Sequence, residues 1–376
     1  MVTKWVPFPD NGGGKQRSLA IARRLAERAE LVICAYADAD TNLEGLESLG
    51  IDVRSVPRKS GPWRTAQGIL KTGSASAGHF FSREFADMVR QVASAAPLDL
   101  LQVEYLAMVP STRGVRAARR ILDLHSVESA LMANYANTRR GLPRALVHLE
   151  VASLAAMERR VVHGFDTVVV VSEKEKGRLP GSRSDTLVCP NAREVGRGPL
   201  PPAADPTVAF VASLDWVPNA DAAVWFGEDV WPSVQRRLPE SKLLLVGRDP
   251  LPKVRALASP SVEVTGTVTD VAPYLARARI AVAPLRSGGG TRLKILEALD
   301  AGRPVVATSL AIDGFEDLVG RGVVVANSAE DTADAVVTLL DDPSTSFQLG
   351  LEGHRAVSAE HGWDAALAPL FTSWAV

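Results

Sequence analysis

The chain is 376 residues long, more than one hydrophobic core usually organises, so two domains of about 150 to 200 residues are the first expectation. Its 42 basic and 43 acidic side chains leave a formal charge of -1, and a composition 46% hydrophobic and 23% charged is that of an ordinary globular protein, with no basic excess to call for nucleic acid as a partner. The two cysteines, Cys34 and Cys189, each sit in an apolar run, which argues against a disulfide scaffold; with no leader and no apolar run of the roughly 18 residues that span a membrane, a cytoplasmic protein is expected, neither secreted nor integral.

The first strand-like run, 2–8, ends in Pro-Phe-Pro-Asp and leads through Asn11-Gly12-Gly13-Gly14 into a helical run, 15–29, that opens with Lys15, Gln16 and Arg17. Glycines let a backbone approach a ligand closely, and a helix N-terminus offers unpaired N–H groups to anionic oxygens, so Gly13 and Gly14 make a phosphate or sugar cradle. The alternative is a strand-to-helix turn that merely needs glycine. A dinucleotide fingerprint wants a third glycine where Arg17 stands, which disfavours a nicotinamide dehydrogenase.

A strand at 31–36 follows, with an Asp-x-Asp pair, Asp38 and Asp40, near its end; no His or Asp cluster has metal-ligand spacing, and no metal is expected. Residues 54–78 read as the most irregular part of this half, with Arg58, Lys59, Trp63, Arg64 and Lys71 among Pro, Gly and Ser. A helix at 83–95 and a strand at 99–104 precede the run 120–124, after which Asp123 and His125 emerge at the carboxyl end, where open parallel sheets bind ligands. Glu128 and Ser129 begin the next helix, where a carboxylate also suits the helix dipole. Arg139, Arg140 and Arg144 form a weaker basic patch before a helix at 143–162, and strands at 166–171 and 186–189 close the half.

Residues 196–206, GRGPLPPAADP, suppress regular structure, so the spacing predicts a first domain over 1–195 and a second over 207–359. Strand-like runs resume at 208–212, 243–247, 262–265, 280–283, 305–308 and 323–326, separated by helical patterns. The helix at 363–374 has no strand to serve and is expected, within 360–376, to pack back on the first domain. The fold class is α/β: two doubly wound, Rossmann-like domains whose strand ends face across a cleft suited to two substrates.

The most informative stretch is 283–308, APLRSGGGTRLKILEALDAGRPVVAT: strand, glycine loop, short helix, glycine stop, proline, strand. A diphosphate resting on the loop from Ser287 through Gly288 to Thr291 has Arg292 or Lys294 as counter-charge, and Glu297, on the same side of the helix as Lys294, can accept hydrogen bonds from two ribose hydroxyls. A plain Lys–Glu helix pair after a flexible loop is the alternative.

This segment resembles the donor-binding signature of the retaining glycosyltransferases of family 4, a GT-B group. Similar to the same family, in order along the chain, are the NGGG loop, VVVVSEKE (168–175), VCPNA (188–192), VASLDWVPNADAAVWF (211–226), LLLVGRDP (243–250) and VEVTGTVTDV (262–271). The closest pattern is that of sugar transferases with a G-x-x-x-K-x-L-E-A donor loop. The resemblance implies a GT-B fold and transfer of a sugar from a nucleotide-sugar donor to a glycan, lipid-linked or small-molecule acceptor, with retention and no cofactor beyond that co-substrate. It places Gly13, Gly14, Ser213, Asn219, Arg248, Thr267, Val268, Ser287, Gly288, Thr291, Arg292, Lys294 and Glu297 at the donor. Glu297 matches the second glutamate of the family's Glu, seven residues, Glu motif; Gly289 stands where the first belongs, so its role passes to the backbone amides of Gly289, Gly290, Thr291 and Arg292 or to another side chain. His125 matches the family's strand-end histidine beside the transferred sugar, with Glu128 near it. Acceptors in this architecture are read by the first domain, where Lys15, Arg17, Trp63 and Arg64 are the candidates; the basic, aromatic stretch around Trp63 suits an acidic or lipid-linked acceptor or an anionic membrane surface, or is a solvated loop. An epimerase or phosphorylase on the same architecture, and a non-catalytic nucleotide-sugar binder, are the alternatives.

Overall fold

The computed structural model describes residues 1–9, 12–37, 41, 43–59, 61–136, 141–194, 198–288 and 292–374. Contacts divide the chain into two compact units, Met1–Pro190 with Leu367–Val376, and Asn191–Ala366. The division falls at Pro190 and Asn191, ahead of the Pro- and Gly-rich stretch to which the sequence points.

The first unit holds a seven-stranded sheet: β1 (Val2–Trp5), β2 (Val32–Ala37), β3 (Asp52–Pro57), β4 (Leu100–Glu104), β5 (Arg119–Asp123), β6 (Thr167–Val170) and β7 (Leu187–Val188), in the order β3-β2-β1-β4-β5-β6-β7. Every pair is parallel. Parallel strands need crossovers, and the helices that supply them cover the sheet, so the strands are rich in buried Val, Ile and Leu, among them Val2, Leu101, Val103, Leu122, Val168 and Val170. The order reverses between β1 and β4, and the chain leaving these two strands opens a crevice at their carboxyl ends.

The second unit repeats the plan with β8 (Thr207–Val211), β9 (Lys242–Val246), β10 (Val262–Gly266), β11 (Ile280–Ala283), β12 (Val305–Ala307) and β13 (Val323–Val325), in the order β10-β9-β8-β11-β12-β13 and again all parallel. Its reversal lies between β8 and β11. Next to it, where the neighbouring strands β8 and β9 end, close approach of backbones demands glycine: a Cβ on Gly247, at φ 153, would sit 1.6 Å from the Ala212 carbonyl oxygen. The two doubly wound, Rossmann-like units of the expected α/β class are thus present.

The helix Trp363–Trp374 begins in the second unit, and from Leu367 onward belongs to the first. There Arg119 Nη1 donates to the Ser373 carbonyl at 2.6 Å, and the Arg28 guanidinium lies 4.7 Å from the Phe371 ring centroid.

The stretch 54–78 corrects an expectation. Instead of an irregular loop it holds the end of β3 and the helices Pro62–Thr72 and Ala75–Phe80. The Gly, Pro and Ser that suggested irregularity punctuate the helices: Pro62 opens the first, Gly73 ends it at φ 80, and the Ser74 hydroxyl accepts from the Ala77 N–H to cap the second. The two helices touch through glycines, since a Cβ on Gly68 would lie 2.1 Å from the Gly78 carbonyl oxygen. Among the described residues no helix is long and apolar enough to cross a membrane.

Candidate active site

In the first unit the polar groups gather at the ends of the adjacent strands β1, β4 and β5. Glu104 ends β4 wholly buried, and its Oε2 is 2.7 Å from His125 Nε2, just past β5. Burial pushes Glu104 up to about 6, against the opposing effects of hydrogen bonds from Gln102 and Ser18 and the charge of Arg17. Burial also holds the His125 imidazolium down to about 3, so the ring is neutral at physiological pH. An ionised carboxylate only accepts, which places the ring proton on Nε2 and leaves Nδ1 as an acceptor. The Tyr105 ring stacks on the imidazole at 3.8 Å between centroids, held by a backbone at φ 72.

The glycine loop closes over this pair. A Cβ on Gly14 would lie 2.1 Å from the Tyr105 hydroxyl oxygen and 3.6 Å from His125 Nδ1, so the glycine lets the start of the helix Gly13–Ala26 reach the accepting side of the imidazole. Gly13 is exposed beside it. Glu128 is placed nearby, 3.4 Å from Lys4 Nζ, and the Lys4 ammonium also lies 4.5 Å from the Tyr105 ring centroid.

Two acceptor-side expectations are corrected here. Arg17 is 0% exposed: Nε and Nη2 donate to the two carboxylate oxygens of Asp123 at 3.0 and 3.2 Å, and Nη1 to the Cys189 and Pro190 carbonyls at 2.9 and 3.2 Å. The guanidinium is spent on tying the first helix to the ends of β5 and β7, and Asp123, expected to emerge toward a ligand, is its buried counter-ion. Lys15 is likewise buried, leaving little of it open to an acceptor. Trp63 and Arg64 are exposed on the helix Pro62–Thr72.

Glu104, Asp123 and His125 bring their ligating atoms within 4.8 Å of one another, a spacing a metal ion can bridge. Both Asp123 oxygens already accept from Arg17, and a cation there would oppose that guanidinium, so the residues present fit a hydrogen-bonded cluster and not an ion site. Asp38 and Asp40 lie outside the described residues.

In the second unit the turn after β8 and the loop after β11 meet. Asn219 Nδ2 donates to the Ser213 carbonyl at 2.9 Å, and Lys294 Nζ donates to Asn219 Oδ1 at 2.8 Å. Gly288, at φ 113, packs where a Cβ would come 3.0 Å from Arg292 Nη2 and 3.6 Å from Pro218 Cβ. Arg292 stands at the N-cap position of the helix Leu293–Asp300, on which Lys294 and Glu297 stand one turn apart, and Ser287 leads into the loop. Burial lowers the Lys294 ammonium to about 7, with Arg292 adding to the effect and Glu297 opposing it. Gly289, Gly290 and Thr291 lie outside the described residues. Arg248 is half-exposed with Nε 3.6 Å from Asp215 Oδ1; Thr267, after β10, is exposed beside a cavity of about 340 Å³ lined also by Asp249, Arg255 and Thr265, and Val268 packs partly into the core.

Sequence reasoning passed over Glu104, Tyr105 and Arg193. Glu104 ends a strand as His125 follows one, so the same strand-end signal points to it. Arg193 carries no such signal; it reaches Glu297 at 3.3 Å.

Residues 12–192 match the family model described as glycosyl transferase 4-like domain, and residues 205–342 the model described as glycosyl transferases group 1. The chain is a glycosyltransferase. A GDP-mannose-dependent alpha-(1-6)-phosphatidylinositol monomannoside mannosyltransferase of Mycobacterium tuberculosis is 27% identical over 334 residues, covering 76% of this chain and 85% of the relative. Among solved structures, HepE of Anabaena in complex with UDP-glucose has a TM-score of 0.69 at 16% identity over 99% of this glycosyltransferase and 98% of HepE. Sucrose-phosphate synthase from Thermosynechococcus elongatus has a TM-score of 0.67 at 17% identity over 99% and 96%. These likenesses show the GT-B fold, and the two family models with the mannosyltransferase relative support a family-4-type enzyme that uses a nucleotide sugar.

The burial of Arg17 and Asp123 has a measurable consequence. Arg17→Met leaves Asp123 buried without its charge partner and is expected to cost about 3–5 kcal/mol of stability in urea denaturation, with part recovered by adding Asp123→Asn. A loss below about 1 kcal/mol contradicts the assignment.

Proposed function

We propose that this glycosyltransferase moves a hexose from a nucleoside-diphosphate sugar bound by the second unit to an acceptor bound by the first, with retention of anomeric configuration and without a metal ion. The observation that carries the donor assignment is the turn at the β8–β11 reversal, where the Lys294 ammonium and the Glu297 carboxylate stand one turn apart on one short helix behind a glycine loop. The cation suits the diphosphate and the carboxylate the ribose hydroxyls, with Arg292 and Arg248 as further counter-charges. Support for a nucleoside-diphosphate hexose comes also from the GDP-mannose in the relative's name and the UDP-glucose in HepE; the relative's lipid acceptor supports a lipid-linked acceptor here, beside a glycan or small molecule.

In the reaction the bond from the anomeric carbon to the diphosphate breaks as the acceptor oxygen attacks from the same face, and the acceptor proton passes to the departing phosphate oxygen. Neutral His125, with Nδ1 accepting beside Gly14, suits a hydroxyl of the sugar or acceptor, and Glu104 fixes its tautomer.

Peripheral contact with an anionic membrane is the partner we assign to the first unit. The helix Pro62–Thr72 exposes Trp63 at 84% and Leu70 at 86%, and the helix Gly141–Val162 exposes Leu146 and Leu149. The longer helix meets the C-terminal end of the first where the Ser153 hydroxyl donates to the Gly73 carbonyl, and its Glu150 accepts from the Ser74 hydroxyl at 2.6 Å and the Ala75 N–H at 2.8 Å at the start of the helix that follows. No acidic residue occurs between 54 and 83, whereas Arg58, Lys59, Arg64 and Lys71 are all exposed in the same stretch. The protein is expected to sediment with vesicles containing phosphatidylglycerol but not with pure phosphatidylcholine vesicles, and Trp63→Ser with Leu70→Ser to abolish this; equal recovery from both vesicle types removes the assignment.

The donor is read from a thermal-shift panel of UDP, GDP, dTDP, ADP and CMP, in which a ligand of the native state raises the melting temperature; no response to any diphosphate overturns the proposal. The lowered Lys294 value sets the sign of the pH dependence. The ammonium is charged below about pH 7 and neutral above it until an anionic ligand raises its affinity for protons. Diphosphate affinity by calorimetry is therefore expected to weaken by up to about tenfold per pH unit from 7 upward, and Lys294→Met to bind weakly with no such slope. A wild-type affinity constant from pH 7 to 8.5 contradicts the role of Lys294.

A further inference from the structure

Arg193 stands just inside the second unit, after the Cys-Pro-Asn-Ala run. Its backbone is fixed first: the N–H donates to the His361 carbonyl at 2.9 Å, and Arg193 and Gly362 form a parallel bridge. The guanidinium then reaches the helix Leu293–Asp300, with Nε 2.8 Å from Asp300 Oδ2 and Nη1 3.3 Å from Glu297 Oε1. The two carboxylates are three residues apart on one helix face, and a planar fork spans them where a single ammonium does not. Asp300 is buried and Glu297 one-fifth exposed, so the guanidinium is anchored on the inner carboxylate and holds an oxygen of the outer one.

We propose that Arg193 is the positioning residue for Glu297, fixing its carboxylate in the orientation that receives the ribose hydroxyls of the donor; this rests on the donor-binding role of Glu297. A glutamate left to itself populates several rotamers and loses that freedom when a ligand orders it. Arg193 meets that cost during folding, so the hydroxyls find a prepared acceptor. The segment that carries Arg193 is also where the chain passes from the first unit into the second, which ties the donor helix to the connection between them. A purely structural Arg193, serving only as counter-ion to Asp300, predicts no selectivity for ribose.

The test is calorimetry on the full chain with GDP, 2′,3′-dideoxy-GDP, UDP, 2′,3′-dideoxy-UDP and inorganic pyrophosphate. Wild type is expected to prefer the ribonucleotide of its own base by about tenfold, the contribution of buried hydroxyl hydrogen bonds. Arg193→Met is expected to shrink that preference to within about twofold while changing pyrophosphate affinity by less than about twofold. Arg193→Lys, which keeps a cation for Asp300 and a milder perturbation of folding, is expected to lose the preference too and decides the matter if the methionine variant does not fold. A preference kept at the wild-type level in either folded variant overturns the inference, as does a parallel loss of affinity for all ligands. Glu297→Ala separates the two levels: a preference lost in Glu297→Ala but kept in the Arg193 variants sinks the role of Arg193 alone, and one unchanged in Glu297→Ala sinks the donor role of Glu297 as well.

Discussion

The thirteen strands among the described residues all pair in parallel, and that constraint shapes both the core and the chemistry of this glycosyltransferase. Parallel pairing forces each strand to be followed by a crossover, the crossovers bury both sheet faces, and the order reverses once in each unit, between β1 and β4 and between β8 and β11. At each reversal two neighbouring chain segments part, and the polar side chains of the site collect there: Glu104, His125 and the glycine loop in one unit, Asn219, Lys294 and the Ser287–Gly288 turn in the other. The fold supplies these positions; the residues that occupy them supply the function.

Charge is rationed between the two sites according to burial. In the first unit the fully buried guanidinium of Arg17 is consumed by Asp123 and two carbonyls, and His125 is kept neutral against an ionised Glu104, so the end of these strands offers oriented hydrogen-bonding atoms. That suits sugar hydroxyls. In the second unit burial lowers the Lys294 ammonium to about 7, so that an anion placed beside it favours the charged form. That suits a leaving group whose negative charge grows as the glycosidic bond breaks.

The strands of both halves were legible because fully buried parallel strands leave uninterrupted apolar runs, and the helix Leu293–Asp300 because its glycine stop, Gly302 at φ 72, and Pro304 frame it. The stretch 54–78 was misread, since the same Pro, Gly and Ser that make loops also begin and end short helices, as the Gly73 stop, the Ser74 cap and the Gly68–Gly78 contact do here. Arg17 was misassigned for a related reason: a basic residue in the first turns of a helix behind a glycine loop looks like an anion site from sequence, and its buried partner lies 106 residues away. Glu104 was within reach of the strand-end argument that found His125. Arg193 was not, because the carboxylates it joins stand 104 and 107 residues further along the chain.

The central claim, that the turn from Ser287 to Glu297 holds the pyrophosphate and ribose of a nucleotide sugar, is tested most directly by a crystal structure with the nucleoside diphosphate that most raises the melting temperature. Phosphate density is expected against Lys294 and the glycine loop, with both ribose hydroxyls on the Glu297 carboxylate. Nucleotide density elsewhere, with Glu297 turned away from it, would rule out this turn as the donor site.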